Sequence, residues 1–138
     1  VGGRLHALGH TVVGIDVDPA LIEAAERDYP GPTWLVGDLA EMDLPERGID
    51  EGFDVIVSAG NVMGFLAPST RVEVLRRFRA HLRLDGRVVL GFGAGRGYEF
   101  AEFFADVEES GLELDLALST WDLRPFKADS DFIVAVLR

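Results

Sequence analysis

The sequence predicts an α/β fold with a doubly wound, mostly parallel sheet and helices on both of its faces, and three observations carry that expectation. Short runs rich in β-branched residues, among them His10 to Asp18, Thr33 to Val36, Phe53 to Ser58 and Arg87 to Phe92, alternate with stretches that repeat apolar residues at helical spacing. Two of those runs end on an acid, Asp16 and Asp38, at the tip of a strand where open α/β sheets bind their ligands. The chain then closes with two strand-like runs in succession, which places one antiparallel strand near the C-terminus.

Taken in order, Arg4 to Leu8 is a helix carrying Leu5 and Leu8 on one face, stopped by Gly9 as a C-cap. The HTVVGIDVD run is a buried parallel strand. Asp18 caps a helix from Pro19 to Arg27, whose expected buried stripe is Leu21, Ile22 and Ala25. That helix ends before Pro30-Gly31-Pro32, and TWLV follows as a short strand running into Gly37 and Asp38. Glu41 to Gly52 is loop with a turn of helix. FDVIVS is a third buried strand, followed by the small, polar turn Ala59-Gly60-Asn61. The clearest helix spans Ser69 to Leu82, with Val72, Leu75, Phe78, Ala80 and Leu82 inward and Arg71, Arg76, Arg77 and Arg79 outward as a solvated face. Leu84-Asp85-Gly86 is a turn into the strand RVVLGF. A flexible loop, Gly93 to Gly97, leads to a helix from Tyr98 to Ser110 capped by Gly111. LELDLALS, Leu112 to Ser119, alternates as a strand with one wet face, and DFIVAVL, Asp131 to Leu137, is the last strand.

Composition narrows the function. A chain of 138 residues is sized for one domain, and it begins at Val1, in a segment that reads as the tail of a helix, so the N-terminus is taken as truncated. The formal net charge of -11 repels polyphosphate and argues against nucleic acid as a partner. Without cysteine there is no disulfide framework, thiol nucleophile or Cys-based zinc site, and no His-x-Glu cluster or paired-His spacing suggests a metal. No apolar run is long enough to span a membrane and no signal stretch is visible, which favours a cytoplasmic protein.

Asp16 is the residue with the sharpest chemistry. A carboxylate at a strand tip can cap a turn, or it can accept both hydroxyls of a ribose in charge-assisted bonds, which points to a nucleoside cofactor. Taken together, HTVVGIDVDP, WLVGDL, FDVIVS and LRLDGRVVL resemble, in order and spacing, the class I S-adenosylmethionine-dependent methyltransferases, a Rossmann-like family. That resemblance implies S-adenosyl-L-methionine as cofactor, with Asp16 on the ribose, Val17 against the adenine ring, Asp38 accepting from the adenine amino group and Leu39 packing nearby. Ser58, Ala59, Gly60 and Asn61 would border the methionine moiety. It also implies a first strand and a glycine-rich loop immediately before VGGRL. A sheet lacking that strand leaves backbone groups unpaired on both sides of the gap.

The acceptor reads as a small molecule, with Arg96, Tyr98, Glu99, Trp121 and Arg124 as candidate contacts on loops at the ligand-binding edge. His6, His10 and His81 read as surface or structural residues. Three alternatives remain open at this point. GFGAGRG, Gly91 to Gly97, sits between strand and helix as a phosphate loop would, which in a permuted fold makes Asp122 the acid. A nicotinamide-dependent oxidoreductase also places an acid after its second strand. A non-catalytic partner subunit of the same fold is the third.

Overall fold

A computed structural model describes all of residues Val1–Arg138. They form two compact units, Val1–Met42 and Asp43–Arg138.

The first unit holds α1 (Gly2–Ala7), β1 (Val13–Asp16), α2 (Pro19–Asp28) and β2 (Thr33–Val36). β1 and β2 pair in parallel from Val13 opposite Thr33 to Asp16 opposite Val36, and Thr33 N–H adds a bond to the Val12 carbonyl at 3.0 Å. The strand is therefore shorter than the His10 to Asp18 run, because a four-residue partner can satisfy only the backbone groups it faces. Asp18 caps α2 as its sequence suggests, accepting from Ala20 N–H at 2.8 Å, with Pro19 in the first turn. Of the expected stripe, Ile22 is buried and Ala25 half-buried, but Leu21 is 57% exposed. A two-stranded ladder is too narrow to cover a wider helical face. Trp34 lies across Gly14 and donates its indole N–H to the Tyr29 carbonyl at 3.0 Å, tying β2 to the end of α2.

The second unit holds β3 (Phe53–Ser58), α3 (Val62–Phe65), α4 (Arg71–His81), β4 (Leu82–Gly93), α5 (Phe100–Ser110), β5 (Leu114–Leu118) and β6 (Phe132–Leu137). Its four strands lie in the order β3-β4-β6-β5. β3 and β4 are parallel, and β6 runs antiparallel to both β4 and β5, so β6 is the one reversed strand that the closing pair of runs predicts. The core gathers on β4 and β6, through Val88, Leu90, Phe92, Ile133, Ala135 and Leu137, under Val74, Leu75 and Phe78 of α4 and Phe103 and Val107 of α5. β3 is an edge of this ladder, and Val55 and Val57 are exposed rather than buried.

Leu84-Asp85-Gly86 is not a turn before the strand. β4 starts at Leu82 directly from α4, and the register passes from Phe53 opposite Leu82 to Val55 opposite Arg87, so residues 83–86 swing out as a bulge with Leu84 wholly exposed. The loop from 41 to 52 carries short 3-10 turns and buries Met42 and Leu44. His81 anchors it structurally, because Leu44 N–H reaches the His81 Nε2 at 3.1 Å.

Two further expectations are corrected at the α4–α5 junction. Arg71 does not face water: it is 6% exposed, its guanidinium lies 3.9 Å above the Tyr98 ring, and it donates to the Gly97 carbonyl at 2.8 Å. A buried guanidinium needs such partners, and Glu102 adds an ion pair at 3.7 Å. Tyr98 does not start the helix. It precedes the Glu99 cap, is 1% exposed, stacks on Phe92 at 5.2 Å and donates its hydroxyl to Asp106 at 2.6 Å. Phe126 joins the same cluster edge-on against Phe100 and Phe104, pinning the loop that follows β5.

Burial, reinforced by the hydrogen bond to Asp106, pushes the Tyr98 hydroxyl well above the ordinary tyrosine range. The folded state therefore holds this proton more tightly than the unfolded chain, so the stability it contributes is present at neutral pH. That stability is lost as pH rises past the unfolded tyrosine pKa of about 10. Tyr98→Phe is expected to cost about 1–3 kcal/mol in denaturant unfolding at neutral pH, with the gap to the parent narrowing above that value. An equal gap at every pH would show that the hydroxyl's proton is not the source of the difference.

Candidate functional site

In the first unit, Asp16 ends β1 and Asp38 follows the end of the neighbouring β2 by two residues, and Gly37 N–H donates to the Asp16 carbonyl at 3.0 Å, fixing one strand end beside the other. Each acid shapes the turn that follows it with one oxygen. Asp16 Oδ1 accepts from Asp18 N–H at 2.9 Å and Asp38 Oδ1 accepts from Ala40 N–H at 2.8 Å, which caps the 3-10 turn Leu39–Glu41. Neither carboxylate forms an ion pair, and the Oδ2 atoms accept no bond from the protein. The turn-capping and ligand-accepting readings of Asp16 are thus compatible, since a carboxylate has lone pairs for both. Val17 is 70% exposed beside it, and Leu39 is half-buried.

In the second unit, the turn leaving β3 is Ser58, Ala59, Gly60 and Asn61, with Gly60 and Asn61 both in the left-handed region at φ 81° and 64°. Asn61 tolerates that conformation better than most residues, and its Oδ1 accepts from Gly93 N–H at 2.8 Å, which joins the ends of β3 and β4. Ser58 is 7% exposed, and its hydroxyl has no hydrogen-bond partner. Buried polar groups are normally paired, and this hydroxyl shares its lack of a partner with the buried Arg71 Nε.

The five acceptor candidates divide sharply. Tyr98 is sealed in the core, with its ring stacked and its hydroxyl engaged, so it presents nothing to a ligand. Glu99 forms the capping box of α5 with Glu102. Arg124 pairs with Asp122 at 3.3 Å, and the Asp122 carboxyl is held below the usual carboxylate range by the Thr120 hydroxyl first and by Arg124 second. Arg96, by contrast, is exposed and without an acidic partner, its stem lying along Gly64 of α3. Trp121 is 48% exposed, with its indole laid on Gly91 of β4. A Cβ at Gly91 would stand 2.6 Å from Trp121 Cζ2, so this glycine serves aromatic packing rather than a phosphate loop. Phe65, at the end of α3, is 72% exposed and is not legible as a surface residue in the sequence, because VMGFL is apolar almost throughout and hides which residue faces out. No group of three or more His, Asp or Glu side chains is placed to hold a metal ion, and no helix is long and apolar enough to cross a membrane.

Residues 2–86 match the methyltransferase domain family. The chain belongs to that family. In structure it is similar to a TehB-like S-adenosylmethionine-dependent methyltransferase from Corynebacterium glutamicum, with 50% identity over 99% of this chain and 72% of that one, at a TM-score of 0.91. The fold is shared more widely, with the CcbJ methyltransferase from Streptomyces caelestis (17% identity, 97% of this chain and 76% of that one, TM-score 0.84). It is shared also with the glycopeptide N-methyltransferase MtfA, solved with S-adenosylmethionine (12% identity, 97% and 74% coverage, TM-score 0.74). No curated protein matches the chain. As a member of the S-adenosylmethionine-dependent class, the methyltransferase has the Rossmann-like α/β fold that its strand-tip acids suggest.

The contact between Gly91 and Trp121 yields a direct test. In a Trp34→Phe background, Gly91→Ala is expected to lift the Trp121 indole off β4, shift its fluorescence to longer wavelength and cost about 1–3 kcal/mol of stability. Unchanged emission and iodide quenching would mean that the ring does not rely on the glycine.

Proposed function

We propose that this methyltransferase moves the methyl group of S-adenosyl-L-methionine to a small-molecule acceptor, using both units as parts of one domain. Asp16, Val17, Asp38 and Leu39 hold the nucleoside in this reading, and Ser58, Ala59, Gly60 and Asn61 border the methionine part. The observation that carries it is the pair of acids at adjacent strand ends, each with one oxygen fixed by its own turn and the other open. A carboxylate so held needs no reorganisation to accept from a ribose diol, at Asp16, or from an exocyclic amino group, at Asp38. Val17 and Leu39 offer apolar surface to a flat base. The unpartnered Ser58 hydroxyl fits a ligand-facing turn, since a buried group left without its bond costs about 1–3 kcal/mol. The family match supports the single-domain reading, because residues 2–86 run through both units.

When bound, S-adenosylmethionine supplies an electrophilic methyl group on a sulfonium. The chain's own contribution is to orient the acceptor and exclude water, and no general base is demanded. For the acceptor we favour Arg96 and Trp121, with Phe65 added, over Tyr98, Glu99 and Arg124, whose side chains are already committed. An unpaired guanidinium with exposed aromatic surface suits a small, flat, acidic molecule. The acidic chain and its lack of cysteine support a cytoplasmic protein that does not act on nucleic acid.

Asp16→Ala is expected to weaken S-adenosylhomocysteine binding by about 2–4 kcal/mol in calorimetry with little change in unfolding, and Asp16→Asn to fall between. Tight NAD binding with no response to S-adenosylhomocysteine would instead favour an oxidoreductase. Arg96→Ala is expected to raise the KM for the acceptor about ten-fold while leaving cofactor affinity alone. If it weakens the cofactor and spares the acceptor, the assignment of this loop is wrong.

A further inference from the structure

The end of the second unit's sheet away from Asn61 and Gly93 holds a cavity of about 540 Å³, where α4 ends and β4 begins. Its wall carries Arg76, Arg79, Arg83 and Arg138, and its apolar surface includes Leu82 and Leu84. Four of the chain's 13 Lys and Arg residues line this one hollow. Three of them are paired at the rim: Arg76 with Glu109 at 3.6 Å and Glu73 at 4.0 Å, Arg83 with Asp54 at 3.0 Å and Glu51 at 3.4 Å, and Arg138 with Glu113 at 3.2 Å. Such exposed pairs contribute little to stability. Arg79 differs, having no hydrogen bond or ion pair from its side chain. Its guanidinium lies against Gly111, with Cζ and Nη1 only 3.3 Å from where a Cβ would stand. Gly111, at φ 83°, is both the cap of α5 and the bare surface on which the fork rests.

We propose that this basin binds a small organic oxyanion, a phosphate or carboxylate head on an apolar body, at a site separate from the methyl-transfer chemistry. Arg79 takes the head with its planar fork, which suits a two-oxygen acceptor. Arg76 and Arg138 stand at the rim with their carboxylate partners, and Leu84, wholly exposed, covers the body with the half-buried Leu82.

Calorimetry with phenyl phosphate, benzoate and inorganic phosphate tests it, with phenyl phosphate and benzoate reporting which head is preferred. One of the two aromatic anions is expected to bind, more tightly than inorganic phosphate and more weakly as salt rises. Arg79→Gln, which keeps the stem, is expected to weaken that binding about ten-fold. Saturating S-adenosylhomocysteine is expected to leave it unchanged. The proposal is overturned if neither aromatic anion binds, if inorganic phosphate binds as well as they do, if Arg79→Gln binds as the parent does, or if S-adenosylhomocysteine competes.

Discussion

The second unit depends on β4 being hydrogen-bonded along both of its sides, in parallel to β3 and antiparallel to β6. A strand in that position cannot tolerate unpaired backbone or poorly filled faces, and Val88, Leu90 and Phe92 are accordingly sealed at alternate positions. Its two ends then become fixed points. At one end Gly91 and Gly93 receive Trp121 and Asn61, which hold the loops that follow β5 and β3. At the other, residues 83–86 bulge away from β3 and open the arginine-lined hollow.

The first unit uses a smaller device for the same purpose. Asp16 and Asp38 each spend one carboxylate oxygen on the backbone N–H two residues on, a local bond that costs little ordering because donor and acceptor are already neighbours in the chain. The side chain is thereby oriented while the other oxygen stays available. Turn capping and ligand acceptance are therefore compatible at these acids, because each turn uses one oxygen and leaves the other without a protein partner.

Arg71 and Tyr98 show the converse, residues with functional chemistry that the fold consumes. A guanidinium and a phenol are polar at one end only, and each can be buried if that end finds a partner. Here Gly97 and Glu102 supply the partners for Arg71, and Asp106 the partner for Tyr98, all of them on or just before α5. The Phe92 cluster supplies the apolar surroundings. With Tyr98 closed off, the exposed chemistry near the end of β4 passes to Arg96 and Trp121.

Local rules in the sequence decided a good deal. Pro19 after Asp18, Gly111 after Ser110 and the β-branched run Phe53 to Ser58 act on the residues beside them, so the start of α2, the cap of α5 and the span of β3 were readable from composition and order alone. The strand-tip acids were readable for the same reason, and so was the reversed final strand, because two successive strand runs leave no crossover to keep them parallel. What the sequence could not determine is which face of an element the rest of the chain would cover. Arg71 on a helix of four arginines, Tyr98 beside a glycine loop and Leu21 in an apolar stripe look alike before folding, and only contact with distant residues separates buried from exposed. Burial is set by surfaces that meet across the tertiary structure, and no local period encodes it.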